Sequence, residues 1–225
     1  MNFYEIDESL PKDTRATQLL AKDPTGVKQF EKVSIYAISH VANDEMLARS
    51  LEYPDKFNPS GGLNDAFFDD AFTYGASVQR LINGWDVMGS GVHNAFEVRA
   101  ESKRQGSENR KPKPENIYIG SFHMTAGELR NLQLEMENQQ RVRVYDAGVE
   151  ELDPNHAEIL AIKDGLNKQL RHLFRVMLMT LARKRGLYVS PHLLEDGLSR
   201  ARNSGCSLNE YPESPCADSD GYSLV

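Results

Sequence analysis

Cysteine and tryptophan are nearly absent from this chain: 225 residues hold two of the first and one of the second. Cys206 and Cys216 both fall in a polar C-terminal stretch, so they cannot staple a core. Their spacing fits no common metal framework, and they are read as free thiols. Long apolar runs are missing too. No window approaches the roughly 20 consecutive apolar residues of a bilayer-crossing helix. The opening MNFYEIDESLPKD lacks the basic patch and apolar run of an export signal. The expectation is a cytoplasmic protein with no membrane contact.

Metal signatures are equally scarce. The six histidines are His40, His93, His123, His156, His172 and His192, and no HExxH, HxH or Cys/His cluster joins them. No metal and no cofactor are therefore expected. The stretch GWDVMGSG (84–91) lacks the spacing of a phosphate-binding loop and reads as a flexible turn. Asp69 and Asp70 are hard oxygen donors, but adjacent side chains diverge on a helix or a strand, so they read as a solvated pair.

Positive charge is missing from one place in particular. Glu210, Glu213, Asp218 and Asp220 stand in a tail without Lys or Arg, so residues 1–202 carry about -3 of the formal -7. That balance neither recruits nucleic acid to the whole chain nor excludes a local basic groove. Lys103, Arg104, Arg110, Lys111 and Lys113 form the densest basic region of the first half. With no aromatic among them, they read as a solvated loop, and phosphate contact is the weaker alternative.

What is present is 40% hydrophobic content, enough for a real core. Residues 1–30 are polar and aperiodic, a weakly ordered arm with at most a turn at Thr17 to Lys22. KVSIYAIS (32–39) alternates as a buried strand. Asn43 is placed to cap a helix running to about Leu51. Residues 54–64 form a loop, and Asp65 to Asn83 reads as loop followed by strand. His93 to Arg104 is expected to be helical, and Ile117 to Phe122 a strand. Thr125 and Glu128 have the spacing of a capping box opening a helix from about 126 to 137.

The clearest pattern lies between Arg141 and Gly186. Arg141 to Tyr145 alternates as a strand, Asp153-Pro154-Asn155-His156 makes a connection, and Ala157 to Ile162 supplies a second strand. Leu166, Leu170, Leu173, Met177 and Leu181 then recur at helical spacing. Arg183 to Arg185 suit the negative end of that helix, and Gly186 can stop it. Ser190-Pro191 predicts the cap and first-turn proline of a last helix. The fold class expected is α+β, a small mixed or antiparallel sheet packed against a long amphipathic C-terminal helix. Residues 31–202 would form one domain, followed by a disordered acidic tail over 203–225.

TAGELRNL (125–132), VRVYDAG (142–148) and DPNHAEI (153–159) resemble segments of a scattered group of small uncharacterised bacterial proteins. Those proteins share an AGELR-like helix start, a following strand and an Asn/Pro-His-Ala turn. Here the order Pro154-Asn155-His156-Ala157 departs from their Asn-Pro-x-His-Ala. The resemblance implies a bacterial or mobile-element origin and draws Glu128, Arg130, Asp146 and His156 together. It implies no activity.

Two functional readings follow. The first is a non-catalytic interaction or accessory protein, with the long helix or the last helix contributing to a surface for a protein partner or for self-association. An exposed stripe including Met177, Met179 and Leu181 would support it. The second is a small hydrolase or nucleotide-processing enzyme. There His156 is the acid/base, Asp146 orients it, His123 lies nearby, and Arg130 or Arg143 holds an anion. Arg171, His172 and Arg175 lack a convincing spacing for a helical Arg/His ribonuclease site.

Overall fold

The computed structural model describes residues 11–32, 36, 38–82, 85–108, 111–134, 140–147 and 155–209. The strand expected over 32–39 falls largely outside them, as do most of the connection before His156, residues 1–10 and residues 210–225. The fold is α+β, and its sheet is larger than expected: seven strands in the order β4-β5-β2-β1-β3-β6-β7. These are β1 (Met46–Tyr53), β2 (Ala76–Leu81), β3 (Ile117–Thr125), β4 (Val142–Asp146), β5 (His156–Ala161), β6 (Leu187–Val189) and β7 (Leu208–Asn209). All described pairings are antiparallel except β6 with β7.

The central strand β1 replaces the helix expected after Asn43. Leu47 and Leu51 point to one face of the sheet and Ala48 to the other, and all three are buried. Burial on both faces outweighs the local capping signal of Asn43. That residue instead accepts a hydrogen bond from Arg130 through its side chain and one from Gly127 N through its carbonyl.

Helices cover both faces. On the first face, Leu47, Leu51, Val78, Phe122, Val144 and Ile159 pack against a 3-10 segment (Asp65–Phe72) and against α4 (Lys168–Arg183). The short helix α5 (Glu195–Asn203) adds Ala201 to this core. On the second face, α2 (Trp85–Gln105) buries Val92, Phe96 and Ala100 on Ala48, Leu81 and Tyr118. Also on that face, α1 (Lys12–Lys22) buries Ala16 and Leu19 on Tyr145 and Leu160. Part of the expected N-terminal arm is thus a docked helix. It is fastened where Tyr145 Oη donates to Asp23 Oδ2 at 2.8 Å.

Two expected helices are redrawn. The capping box of Thr125 and Glu128 is present, yet α3 covers only Ala126–Arg130. Leu132 and Leu134, two residues apart, both reach the core, which suits an extended chain and not a continuing helix. Ser190-Pro191 does not open α5, whose N-cap is Leu194. Gly186 does terminate the α4 region, with φ at 77°. Among the described residues, no helix is long and apolar enough to cross a membrane.

Candidate functional site

The register of the sheet decides the fate of the expected catalytic group. Asp146 pairs with Ala157, so His156 lies on the opposite face from Asp146 despite the neighbouring strands. His156 instead shares its face with Glu158, its Nε2 lying 3.7 Å from Oε1. His123 does stand on the face of His156, in one cross-strand row formed by His156, Gln79, Ala48 and His123. Three strand spacings, about 14 Å, separate the two histidines. Asp146, His156 and His123 therefore do not converge on one substrate.

The two arginines are built into the frame. Arg130 is buried, and its guanidinium donates to Gln29 Oε1 at 2.9 Å and to Asn43 Oδ1 at 2.7 Å. It also donates to the carbonyls of Gln29, Val41 and Val144 at 3.2, 2.9 and 3.0 Å, and it lies over the Phe30 ring. Burial lowers its pKa to about 10. This arginine holds four chain segments together through five hydrogen bonds, which explains its burial without an anion. Arg143 is also buried. It donates to the carbonyl and side chain of Gln140 and lies directly against Gly26, where a Cβ would collide with it.

The structure gathers other titratable groups that sequence spacing did not connect. Beneath α2, His123 Nε2 lies 2.8 Å from Ser121 Oγ, and its ring stacks on Tyr188 at 4.4 Å. His93 reaches the same layer from α2 and packs its ring on Tyr118. Burial drives both imidazoles toward the neutral form, His93 to about 4 and His123 to about 3. At the rim, Ser190 Oγ donates to Glu97 Oε1 at 2.6 Å, and His192 Nδ1 lies 3.1 Å from Glu97 Oε2. The serine proton is directed at the carboxylate rather than at a histidine, so the imidazole is not placed to activate the serine. Ser190 Oγ also accepts from His192 N at 3.3 Å, tying the turn after β6 to α2. This layer fastens helix to sheet. Only tertiary folding creates it, because its members come from α2, β3 and the segment after β6.

Other polar residues singled out in the sequence are paired. Asp70 accepts from buried Arg49 at 2.6 Å, and Asp69 pairs with Arg175. Lys103 pairs with Glu52, Arg104 with Glu101 and Lys113 with Asp55. Among the described residues, no group of three or more His, Cys, Asp or Glu is placed to hold a metal.

One surface that packing within the chain does not explain is the outer face of α4. Asn167 caps this helix through Leu170 N at 2.9 Å, and Phe174, Leu178, Met179 and Ala182 bury its inner face. Met177 and Leu181 are half-buried at the edge of the core, so the expected apolar stripe is mostly internal. Leu173 and Val176 point outward instead, 48% and 42% exposed. Around them stand Lys168, Gln169, His172, Thr180, Arg183 and Lys184, all exposed. From Lys168 to Arg185 the chain has six Lys and Arg and no Asp or Glu. Asp69 engages Arg175, and Glu128 engages Lys184 and Arg185. Lys168 and Arg183 make no ion pair among the described residues. A pocket of about 90 Å³ opens beside this face, lined by Leu63, Asn64, Val176, Met179, Thr180 and Arg183.

Comparison of the chain with protein-family profiles, with curated proteins and with solved structures finds no match in any of the three.

Proposed function

We propose that this chain is a non-catalytic interaction or accessory protein, of bacterial or mobile-element origin, and that it binds a protein partner through the outer face of α4. One observation carries the reading: Leu173 and Val176 stand exposed on a helix face whose charges are all positive, within a chain of net charge -7. An apolar centre with a cationic surround fits a protein segment that pairs apolar side chains with carboxylates. No Phe, Tyr or Trp of α4 lies on this face to stack on bases, so a nucleic acid is the poorer fit. The acid/base groups elsewhere are separated, neutralised by burial or committed to structural hydrogen bonds.

The test compares the wild-type chain with a Leu173→Asp/Val176→Asp double variant, each immobilised and exposed to bacterial lysate, with sedimentation velocity run in parallel. The expected result is a stoichiometric partner, or self-association, that the wild type shows and the folded double variant loses. Identical behaviour of the two proteins would remove this face from the reading.

A further inference from the structure

We propose that the acidic segment 210–225 of this same chain docks on the outer face of α4, so that any partner must displace it. The inference rests on the reading above, because it names an intramolecular competitor for the same surface.

Charge complementarity is the first support. The segment holds Glu210, Glu213, Asp218 and Asp220 with no Lys or Arg, and it carries Tyr211, Tyr222, Leu224 and Val225 as apolar partners. The helix face presents the opposite composition, with Lys168, Arg183 and Lys184 around Leu173 and Val176. Paired with each other, the two would bring an acidic stretch that lacks Lys and Arg against a basic stretch that lacks Asp and Glu.

The second support is the point of departure. Strand β7 pairs with β6 immediately after α4, and Leu187 N donates to Ser207 O at 2.8 Å. Asn209 Nδ2 donates to the carbonyl of Arg185, so the last described residue touches the C-terminal end of the basic helix. Because β7 runs parallel to β6, the following chain must reverse to reach α4. Length permits this: sixteen residues span up to about 53 Å when extended, whereas α4 is about 24 Å long. Tethering at that distance also supplies a high effective concentration, so a weak contact suffices.

The test uses the full chain with Cys206→Ser, leaving Cys216 as the single thiol for a nitroxide spin label. Amide signals of Val176, Thr180 and Arg183 are expected to lose intensity when the label is paramagnetic. The loss should disappear in Lys168→Glu/Arg183→Glu/Lys184→Glu and should weaken in about 1 M salt, where the screening length falls to about 3 Å. The inference is overturned if the loss falls elsewhere, or survives charge reversal. It is also overturned if the loss appears only between separate labelled and isotope-enriched molecules, since the contact would then join two copies. A negative result here, with partner capture still sensitive to Leu173→Asp/Val176→Asp, would sink the tail contact and leave the proposed function standing. The reverse pattern would separate them the other way.

Discussion

Arg185 donates to Glu128 through both terminal nitrogens, at 2.7 and 3.1 Å, fastening the end of α4 to the first turn of α3. The same carboxylate closes the capping box by accepting from Thr125 N at 3.0 Å, and it receives Lys184 Nζ at 2.9 Å. Burial raises the pKa of Glu128, but the bonds from Arg185, Thr125 and Lys184 overcome this and hold it at about 2. A carboxylate depressed in the folded state binds protons more readily when unfolded. Its stabilisation is complete above the unfolded value of about 4.5 and is lost as pH falls toward 2.

Replacing Glu128 by Gln should therefore cost about 1–2 kcal/mol near neutral pH, the sum of a weakened cap and lost charge pairing. Urea unfolding at a series of pH values checks this. The gap between variant and wild type should narrow below pH 4.5, and a constant gap would show that the charge contributes nothing.

Arg130 offers a sharper contrast, because an anion site and a structural hub respond differently. Truncation to Ala leaves the carbonyls of Gln29, Val41 and Val144 without their shared donor, a loss of about 3 kcal/mol or more. Added phosphate should leave the wild-type melting temperature unchanged apart from a general salt effect. A phosphate-dependent rise that Arg130→Ala abolishes would restore the anion-binding role.

Legibility in the sequence followed the range of the interactions involved. The box of Thr125 and Glu128, the antiparallel strands around Val144 and Ile159, and the stop at Gly186 are written within a few residues, and local periodicity exposed them. Strand β1 was hidden because Asn43, Asp44 and Glu45 carry a helix-start signature. What overrides it is burial between β2 and β3, set by residues more than thirty positions away. The candidate catalytic group failed for a related reason. Asp146 and His156 lie ten residues apart and on adjacent strands, but a two-residue period fixes their faces, and register cannot be read until the pairing is known. Leu173 was read as part of the inward stripe, since a spacing of three or four cannot distinguish the centre of an apolar face from its edge.

The two histidines packed between α2 and the sheet should make the fold sensitive to mild acid. Burial holds His93 near 4 and His123 near 3, whereas an unfolded imidazole titrates near 6.5. A depressed histidine pKa means that the unfolded state takes up protons first, so stability falls as pH drops below about 6.5 and continues to fall toward the folded values. Replacing His123 by Gln should lower stability at pH 7, where its contacts with Ser121 and Tyr188 are disturbed. It should also flatten the decline between pH 6.5 and 4. Parallel curves for variant and wild type would contradict the assignment of a neutral, buried His123.

Gly120 tests how closely β6 is laid on β3. It pairs with Val189, and an added Cβ would run into the carbonyl oxygen of Tyr188, a backbone atom with little freedom to yield. Gly120→Ala should displace β6 and with it the parallel contact to β7, costing about 1–3 kcal/mol. Hydrogen exchange localises the effect: amides in β6 and β7 should lose protection first, while those shared by β4 and β5 stay protected. Uniform loss across the sheet would mean that the edge is not separately held.

Neighbouring residues on α4 separate packing from surface use. Phe174 is fully buried and meets Phe72 edge-to-face at 6.1 Å, so Phe174→Ala removes a large side chain from the core and should cost about 3–5 kcal/mol. Leu173 and Val176, one residue before it and two after, project into solvent, where polar replacements usually change stability by no more than about 0.5 kcal/mol. Leu173→Ser/Val176→Ser should accordingly leave the urea midpoint nearly unchanged. A large loss of stability would mean that these side chains already cover apolar surface within the chain and are not available to a partner. A preserved midpoint together with lost binding assigns them to recognition, because folding alone would then gain almost nothing from exposed Leu and Val at these positions.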